Sequence, residues 1–259
     1  MATFSLKKSY QLKDLKEINF KDLWGEHGIF TTMWIFGKPV KILFLENHIK
    51  NLMNSLKVYG IQRKFLKKDI LKIIDKNLSK KKNYNHLLRI ALTKKFISIS
   101  LRKRVPPKLD FNLKLVNFKR ERPRYKNLKY KKILSHLSKM NNSKTDIALV
   151  HNKKILETGT SNLFFIKDKK VFTPKKDYYV GNTYKFFKTK IKKIIKKDIF
   201  IKDLKEYDEI ILIGSGKGVA SVKTIKELNW VRKKLERFKI FLKYYRLAEK
   251  NSNYYKFLK

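Results

Sequence analysis

The forty residues TDIALVHNKKILETGTSNLFFIKDKKVFTPKKDYYVGNTY, 145–184, limit what this chain can fold into more than any other stretch. Their apolar runs are short and divided by turn residues, the pattern of strands joined by tight turns. Asp146–His151 stops at Asn152-Lys153-Lys154, and Ile155-Leu156-Glu157 leads into Thr158-Gly159-Thr160-Ser161-Asn162. Leu163–Ile166 then meets the turn Lys167-Asp168-Lys169-Lys170, and Val171-Phe172-Thr173-Pro174 ends at a proline. Gly181-Asn182-Thr183 opens an amphipathic helix expected over Tyr184–Lys197. Glu157, behind a strand and facing a loop of small residues, is an unusual place for a carboxylate. A helix start made of Gly, Asn and Thr is a ready anion site, because its first amides are unpaired and point outward.

Upstream, Gly28–Phe36 (GIFTTMWIF) reads as a strand that turns at Gly37-Lys38-Pro39 into Val40–Leu45, a hairpin. His48–Tyr59 places Ile49, Leu52, Met53 and Leu56 on one helical face and stops at Gly60. A second helix is expected over Leu66–Leu78, followed by strands at Leu87–Thr93, Phe96–Leu101 and Phe111–Phe118. Lys119–Arg124 (KRERPR) is charged and holds a proline, so it reads as a linker. The expected division is therefore a small α+β domain over 1–119 and a larger domain over 120–259. Past a helix on Ile133, Leu134, Leu137 and Met140 and the central stretch, strands are expected at Ile199–Ile201, Asp208–Ile213 and Val219–Val222. A closing helix is expected over Asn229–Lys250. Gly214-Ser215-Gly216-Lys217-Gly218 is not a mononucleotide loop, since it lacks the four-residue spacer and the Lys-Ser/Thr pair.

Charge raises a different possibility. The 259 residues carry 65 Lys and Arg against 21 Asp and Glu, a net charge of +44, which invites a nucleic-acid partner. Only ten of those cations are arginine, the residue favoured for base readout and phosphate forks, and the lysines are spread over the whole chain. Abundant Lys, Asn and Ile read as drift in an AT-rich genome, so no specific nucleic-acid partner is expected. The absence of cysteine excludes disulfides and thiolate chemistry, and no metal site is expected. No apolar run approaches a membrane span of about 18 residues, and residues 1–20 lack a signal-peptide core, so the expected location is the cytoplasm.

ETGTSNLFFIKDKKVFTP, followed by GNT, resembles the fold type IV pyridoxal-phosphate enzymes, the class IV aminotransferases. The pattern is a Glu, a small-residue loop, Ser-Asn, a strand, Thr-Pro and a Gly-x-Thr helix start. GIFTTMWIFGKPVKILFLENHIKNLMNSLKVYGI resembles the opening segment of the same family, so the likeness runs over roughly residues 25–225. It implies a two-domain α+β fold with pyridoxal 5'-phosphate in the interdomain cleft, and a homodimer.

The resemblance also implies roles for single residues. The family's aldimine lysine lies in a Lys-x-Leu-Asn-Tyr pattern about 30 residues before the glutamate. Lys126-Asn127-Leu128-Lys129-Tyr130 matches it as Lys-x-Leu-x-Tyr, 31 residues before Glu157, which makes Lys126 the first candidate and Lys129 its rival. Tyr130 would bond the cofactor's ring oxygen, and Glu157 would face the pyridine nitrogen and keep it protonated. Asn182, Thr183, Ser215 and Gly216 would hold the phosphate through backbone amides and hydroxyls. Two departures stand out. The arginine that usually follows the helix histidine His48 by three residues is Asn51, with Lys50 beside it, and the arginine of Gly-x-Thr-Arg is Tyr184.

Phe30-Thr31-Thr32 resembles the Phe-Thr-Thr of 4-amino-4-deoxychorismate lyases more than the Phe-Glu-Gly of branched-chain enzymes. By strand alternation only one of Thr31 and Thr32 faces the substrate. The expected reaction is release of pyruvate and 4-aminobenzoate, a step of folate synthesis, with a branched-chain or D-amino-acid aminotransferase as the alternative. A degenerate or nucleic-acid-binding protein that has lost the cofactor is the alternative outside enzymology.

Overall fold

The computed structural model describes residues 4–258. Contacts divide the chain into two units: residues up to Arg104 with Tyr125–Lys131 and the chain from Asn251 onward, and Val105–Arg124 with Lys132–Lys250. The expected cut at residue 119 differs from this division, because Phe111–Asn117 pairs with strands of the second unit.

In the first unit, β1 (Phe4–Gln11), β2 (Glu17–Ile18), β3 (Gly28–Gly37) and β4 (Lys41–Ile42) precede α1 (Leu45–Val58) and α2 (Leu66–Asn77). Strands β5 (Tyr84–Thr93) and β6 (Phe96–Lys103) follow. They form an antiparallel sheet in the order β2-β1-β6-β5-β3-β4. The near-continuous apolar run of β3 reflects burial on both faces: from Gly28 to Ile35 only Thr32 is partly exposed. One face, with Ile29, Met33, Ile35, Leu88, Ile90, Ile97 and Ile99, packs under Ile49, Leu52 and Leu56 of α1 and Ile70, Ile73 and Ile74 of α2. Those helical positions recur at the spacing that forms one apolar stripe, which is why both helices were legible.

The second unit holds β7 (Phe111–Asn117), most of α3 (Lys131–Ser138), β8 (Thr145–His151), β9 (Lys154–Thr158), β10 (Asn162–Lys167) and β11 (Lys170–Pro174). After α4 (Asn182–Lys190) come β12 (Ile194–Lys197), β13 (Ile199–Phe200), β14 (Glu209–Gly214), β15 (Gly218–Ile225), β16 (Trp230–Val231) and α5 (Glu236–Lys250). The sheet runs β12-β11-β10-β14-β15-β7-β8-β9-β13, with β16 against β15. Alternation along β10 sends Leu163 and Phe165 into one core and Phe164 to the other face, where it meets Phe187 of α4 and Phe241 of α5.

Two helices differ from expectation. The helix expected over 184–197 ends at Lys190, and Ile194 and Ile195 instead pair in parallel with Val171 and Phe172. β-branched isoleucines beside an open strand edge gain more from the ladder than from another helical turn. The helix expected over 229–250 starts only at Glu236, because Trp230 and Val231 complete a short strand on Ile225 and Thr224. No helix among the described residues is long and apolar enough to cross a membrane.

Candidate active site

In the first unit, the segment carrying the candidate lysine is stitched onto β3. Phe30 donates its amide to the Lys126 carbonyl at 2.9 Å, and Leu128 donates to the Gly28 carbonyl at 3.0 Å. Gly28 makes this approach possible: a Cβ there would lie 2.7 Å from Leu128 Cδ1 and 2.2 Å from the Leu92 carbonyl oxygen. Asn127 and Leu128 are buried, Lys126 is half-buried and Lys129 is exposed. The Lys126 ammonium lies 4.9 Å from the Phe30 ring centroid. Tyr130, 8% exposed, stacks on Trp24 at 5.8 Å and meets Phe30 edge-on at 5.4 Å. The fixed backbone on both sides gives Lys126 a defined origin, which an amine aimed at one carbonyl carbon needs.

The two threonines separate by alternation. Thr31 is buried on the helix-packed face, where its hydroxyl lies 2.7 Å from His48 Nδ1. Burial first and the charge of Lys126 second push the His48 pKa down to about 3, so the imidazole is neutral and structural at ordinary pH. Thr32 projects to the opposite face with Phe30 and Trp34. Its cross-strand partner is Arg89, whose guanidinium lies 4.4 Å over the Trp24 ring and pairs with Asp22. Arg89 was not singled out from sequence, although a lone arginine inside the apolar run Leu87–Thr93 was a usable signal. Lys50 is exposed, while Asn51, half-buried, accepts a bond from Ser55 through its backbone carbonyl.

In the second unit Glu157 is 6% exposed. Its Oε1 accepts from Arg120 Nε at 2.6 Å, and its Oε2 faces the Tyr179 amide at 3.3 Å. Arg120 is 3% exposed and also donates to the Pro123 carbonyl at 2.7 Å. The KRERPR segment is therefore more than a solvated linker: it delivers the guanidinium that balances the buried carboxylate. Sequence reading missed this because nothing local marks one basic residue among 65 as buried.

Beyond Glu157 the chain forms a candidate anion seat. Asn162 accepts from the Gly181 amide at 3.1 Å and donates to the Tyr179 carbonyl at 2.6 Å, fixing the approach to α4. Asn182 and Thr183 form the first turn of that helix and are buried. Thr183 Oγ1 is buried without a hydrogen-bond partner among the described residues, an orphan donor at a helix N-terminus. A phosphate group would satisfy it and extend onto the first-turn amides. Tyr184, where the family pattern has an arginine, packs against Phe164 and Tyr178 instead. Ser215 and Gly216 lie in the β14–β15 turn.

Residues 28–225 match the family described as amino-transferase class IV. The chain belongs to that family. Class IV aminotransferase-family proteins are pyridoxal-phosphate enzymes, and the orphan Thr183 hydroxyl over a helix start fits that cofactor's phosphate. The fold is similar to a branched-chain aminotransferase from Thermoproteus uzoniensis, with a TM-score of 0.79 at 14% identity, covering 97% of this chain and 98% of that one. A candidate 4-amino-4-deoxychorismate lyase from Legionella pneumophila gives 0.69 at 17% identity, covering 86% and 91%. A hypothetical aminotransferase from Mycobacterium tuberculosis, in a form with pyridoxal phosphate bound, gives 0.68 at 13%, covering 94% and 98%. No curated protein matches this class IV chain by sequence.

Proposed function

We propose that this class IV enzyme is a 4-amino-4-deoxychorismate lyase, with Lys126 as its catalytic amine. The observation that carries the reading is the pairing of Thr32 with Arg89 on the aromatic face that also holds Phe30 and Lys126. A hydroxyl and a guanidinium opposite one another suit a flat ring that bears carboxylates. The glutamate and glycine that would mark a branched-chain pocket are absent, since Thr31-Thr32 stand there.

In this reading Lys126 would anchor the cofactor, and Glu157, held by Arg120, would accept a hydrogen bond from the ring nitrogen. The α4 amides, the Thr183 hydroxyl and the turn at Ser215 and Gly216 would hold the phosphate. Bound pyridoxal phosphate supplies an electron sink for the charge left on the substrate carbon. Lys126 removes the proton from the carbon bearing the substrate's amine. The bond from the ring to the enolpyruvyl oxygen breaks, the ring becomes aromatic, and the departing enol gains a proton to give pyruvate. Thr32 and Arg89 orient the ring and its carboxylate during that loss. Tyr130, stacked over Trp24, closes the aromatic wall near Lys126.

The test is pyruvate release from 4-amino-4-deoxychorismate without any 2-oxo acid. An enzyme that instead turns over leucine with 2-oxoglutarate, and leaves aminodeoxychorismate untouched, is an aminotransferase.

A further inference from the structure

Against the loop that follows Glu157 lies a buried charge pair that the proposed reaction does not use, and its role rests on pyridoxal phosphate being the cofactor. Asp146, on β8, has no solvent exposure. Its Oδ2 accepts from the Thr160 hydroxyl at 2.6 Å and from the Thr158 hydroxyl at 3.2 Å, and its Oδ1 accepts from the Ile147 amide at 2.8 Å. The same Oδ2 lies 3.4 Å from Lys217 Nζ. Lys217 is 8% exposed, with its ammonium also 3.4 Å from the Asn142 carbonyl and 4.5 Å from the Phe111 ring centroid.

These contacts join two loops that are far apart in sequence. Thr158 and Thr160 belong to the loop that follows Glu157, and Lys217 is the residue after Ser215-Gly216. The loops press together at Gly214, where a Cβ would sit 3.0 Å from Ser161 Oγ and 3.1 Å from the Thr160 carbonyl oxygen. We propose that Asp146 and Lys217 form a positioning pair that locks the Ser215-Gly216 turn onto the glutamate loop and screens the phosphate seat from the Asp146 charge.

Asp146 holds the loop through two hydroxyls, yet a buried carboxylate near an anion site repels the anion it helps to place. An ammonium 3.4 Å away turns the lone charge into a compact dipole, whose field falls off much faster with distance. This matters more here because Asn51 and Tyr184 stand where the family's phosphate arginines would be. The phosphate is left to amides and hydroxyls, whose donor strength tolerates less opposing charge.

The experiment is titration of purified protein with pyridoxal 5'-phosphate and, separately, with pyridoxal, which lacks the phosphate, followed by absorbance. Lys217→Met weakens pyridoxal-phosphate binding about tenfold and changes pyridoxal binding by less than about twofold, because only the phosphate senses the uncovered carboxylate. Lys217→Arg retains the wild-type affinity for both. The double variant Asp146→Asn/Lys217→Met, with neither charge of the pair left, binds pyridoxal phosphate more tightly than Lys217→Met and covers the case in which the single variant folds poorly. Unchanged phosphate affinity in Lys217→Met, equal losses for both ligands, or a double variant no better than the single one overturns the proposal. A wild-type protein that binds neither ligand overturns the cofactor reading itself.

Discussion

Glu157 and Glu209 are both buried glutamates in strands of the second unit's sheet, and the fold treats them differently. Glu209 is closed within the structure: its two oxygens accept the Arg237 and Phe238 amides at 2.9 and 2.8 Å, so it caps the start of α5. Backbone donors at a helix N-terminus satisfy a carboxylate without a countercharge. Glu157 instead has a guanidinium on one oxygen and an amide at 3.3 Å on the other. A carboxylate can accept about four hydrogen bonds, so that geometry leaves room for a further donor. One glutamate finishes a helix; the other is a charge held ready at the end of a strand. Burial is common to both, and under the proposed function the source of the compensating donors is what separates them.

The lysines offer the largest test of that distinction. Lys126, anchored on β3, and exposed Lys129 lie three residues apart. Lys126→Ala should lower turnover by more than about a thousandfold, because the proposed function makes it the covalent amine, and Lys129→Ala should leave it near wild type. Borohydride reduction and peptide mapping check this; cofactor recovered on Lys129 would reverse the assignment.

Glu157→Gln should slow turnover by about a hundredfold or more while pyridoxal phosphate still binds, since a neutral amide cannot keep the ring nitrogen protonated. It also leaves the Arg120 charge buried without an anion, so the midpoint of unfolding should fall. Adding Arg120→Met should recover the stability but not the turnover. Recovery of both would mean that Glu157 serves the fold alone.

His48 gives an effect set by pH. Its folded pKa of about 3 lies below the unfolded value of about 6.5, so the unfolded chain binds the proton first as pH falls. This contribution to stability is complete above pH 6.5 and is lost on acidification towards pH 3, with a slope approaching about 1.4 kcal/mol per pH unit. Denaturant titrations of wild type and His48→Asn at several pH values measure it; the same slope in both proteins would contradict it.

The smallest effect belongs to the closed glutamate. Glu209→Gln removes one of the two amide bonds at the α5 start, since the side-chain NH2 cannot accept, and should cost about 1–2 kcal/mol of stability without altering turnover. A catalytic defect in that variant would break the contrast between the two sites.

Much of this protein was legible in its sequence, for local reasons. Turn residues at 152–154, 158–162 and 167–170 cut the central stretch into the strands observed, because turn geometry is set by a few neighbouring residues. The α1 and α2 stripes needed only the helical period. Glu157 and the Gly-Asn-Thr helix start stood out because both break an apolar pattern. What the tertiary structure alone decided depends on partners distant in sequence. Ile194 and Ile195 form a strand because β11 offers an edge, and Phe111–Asn117 joins the second sheet because β8 and β15 flank it. Arg120, Asp146 and Lys217 carry no local mark. Each became significant only when folding removed its water and brought an opposite charge or a loop hydroxyl within reach, which desolvation makes decisive and local sequence does not record.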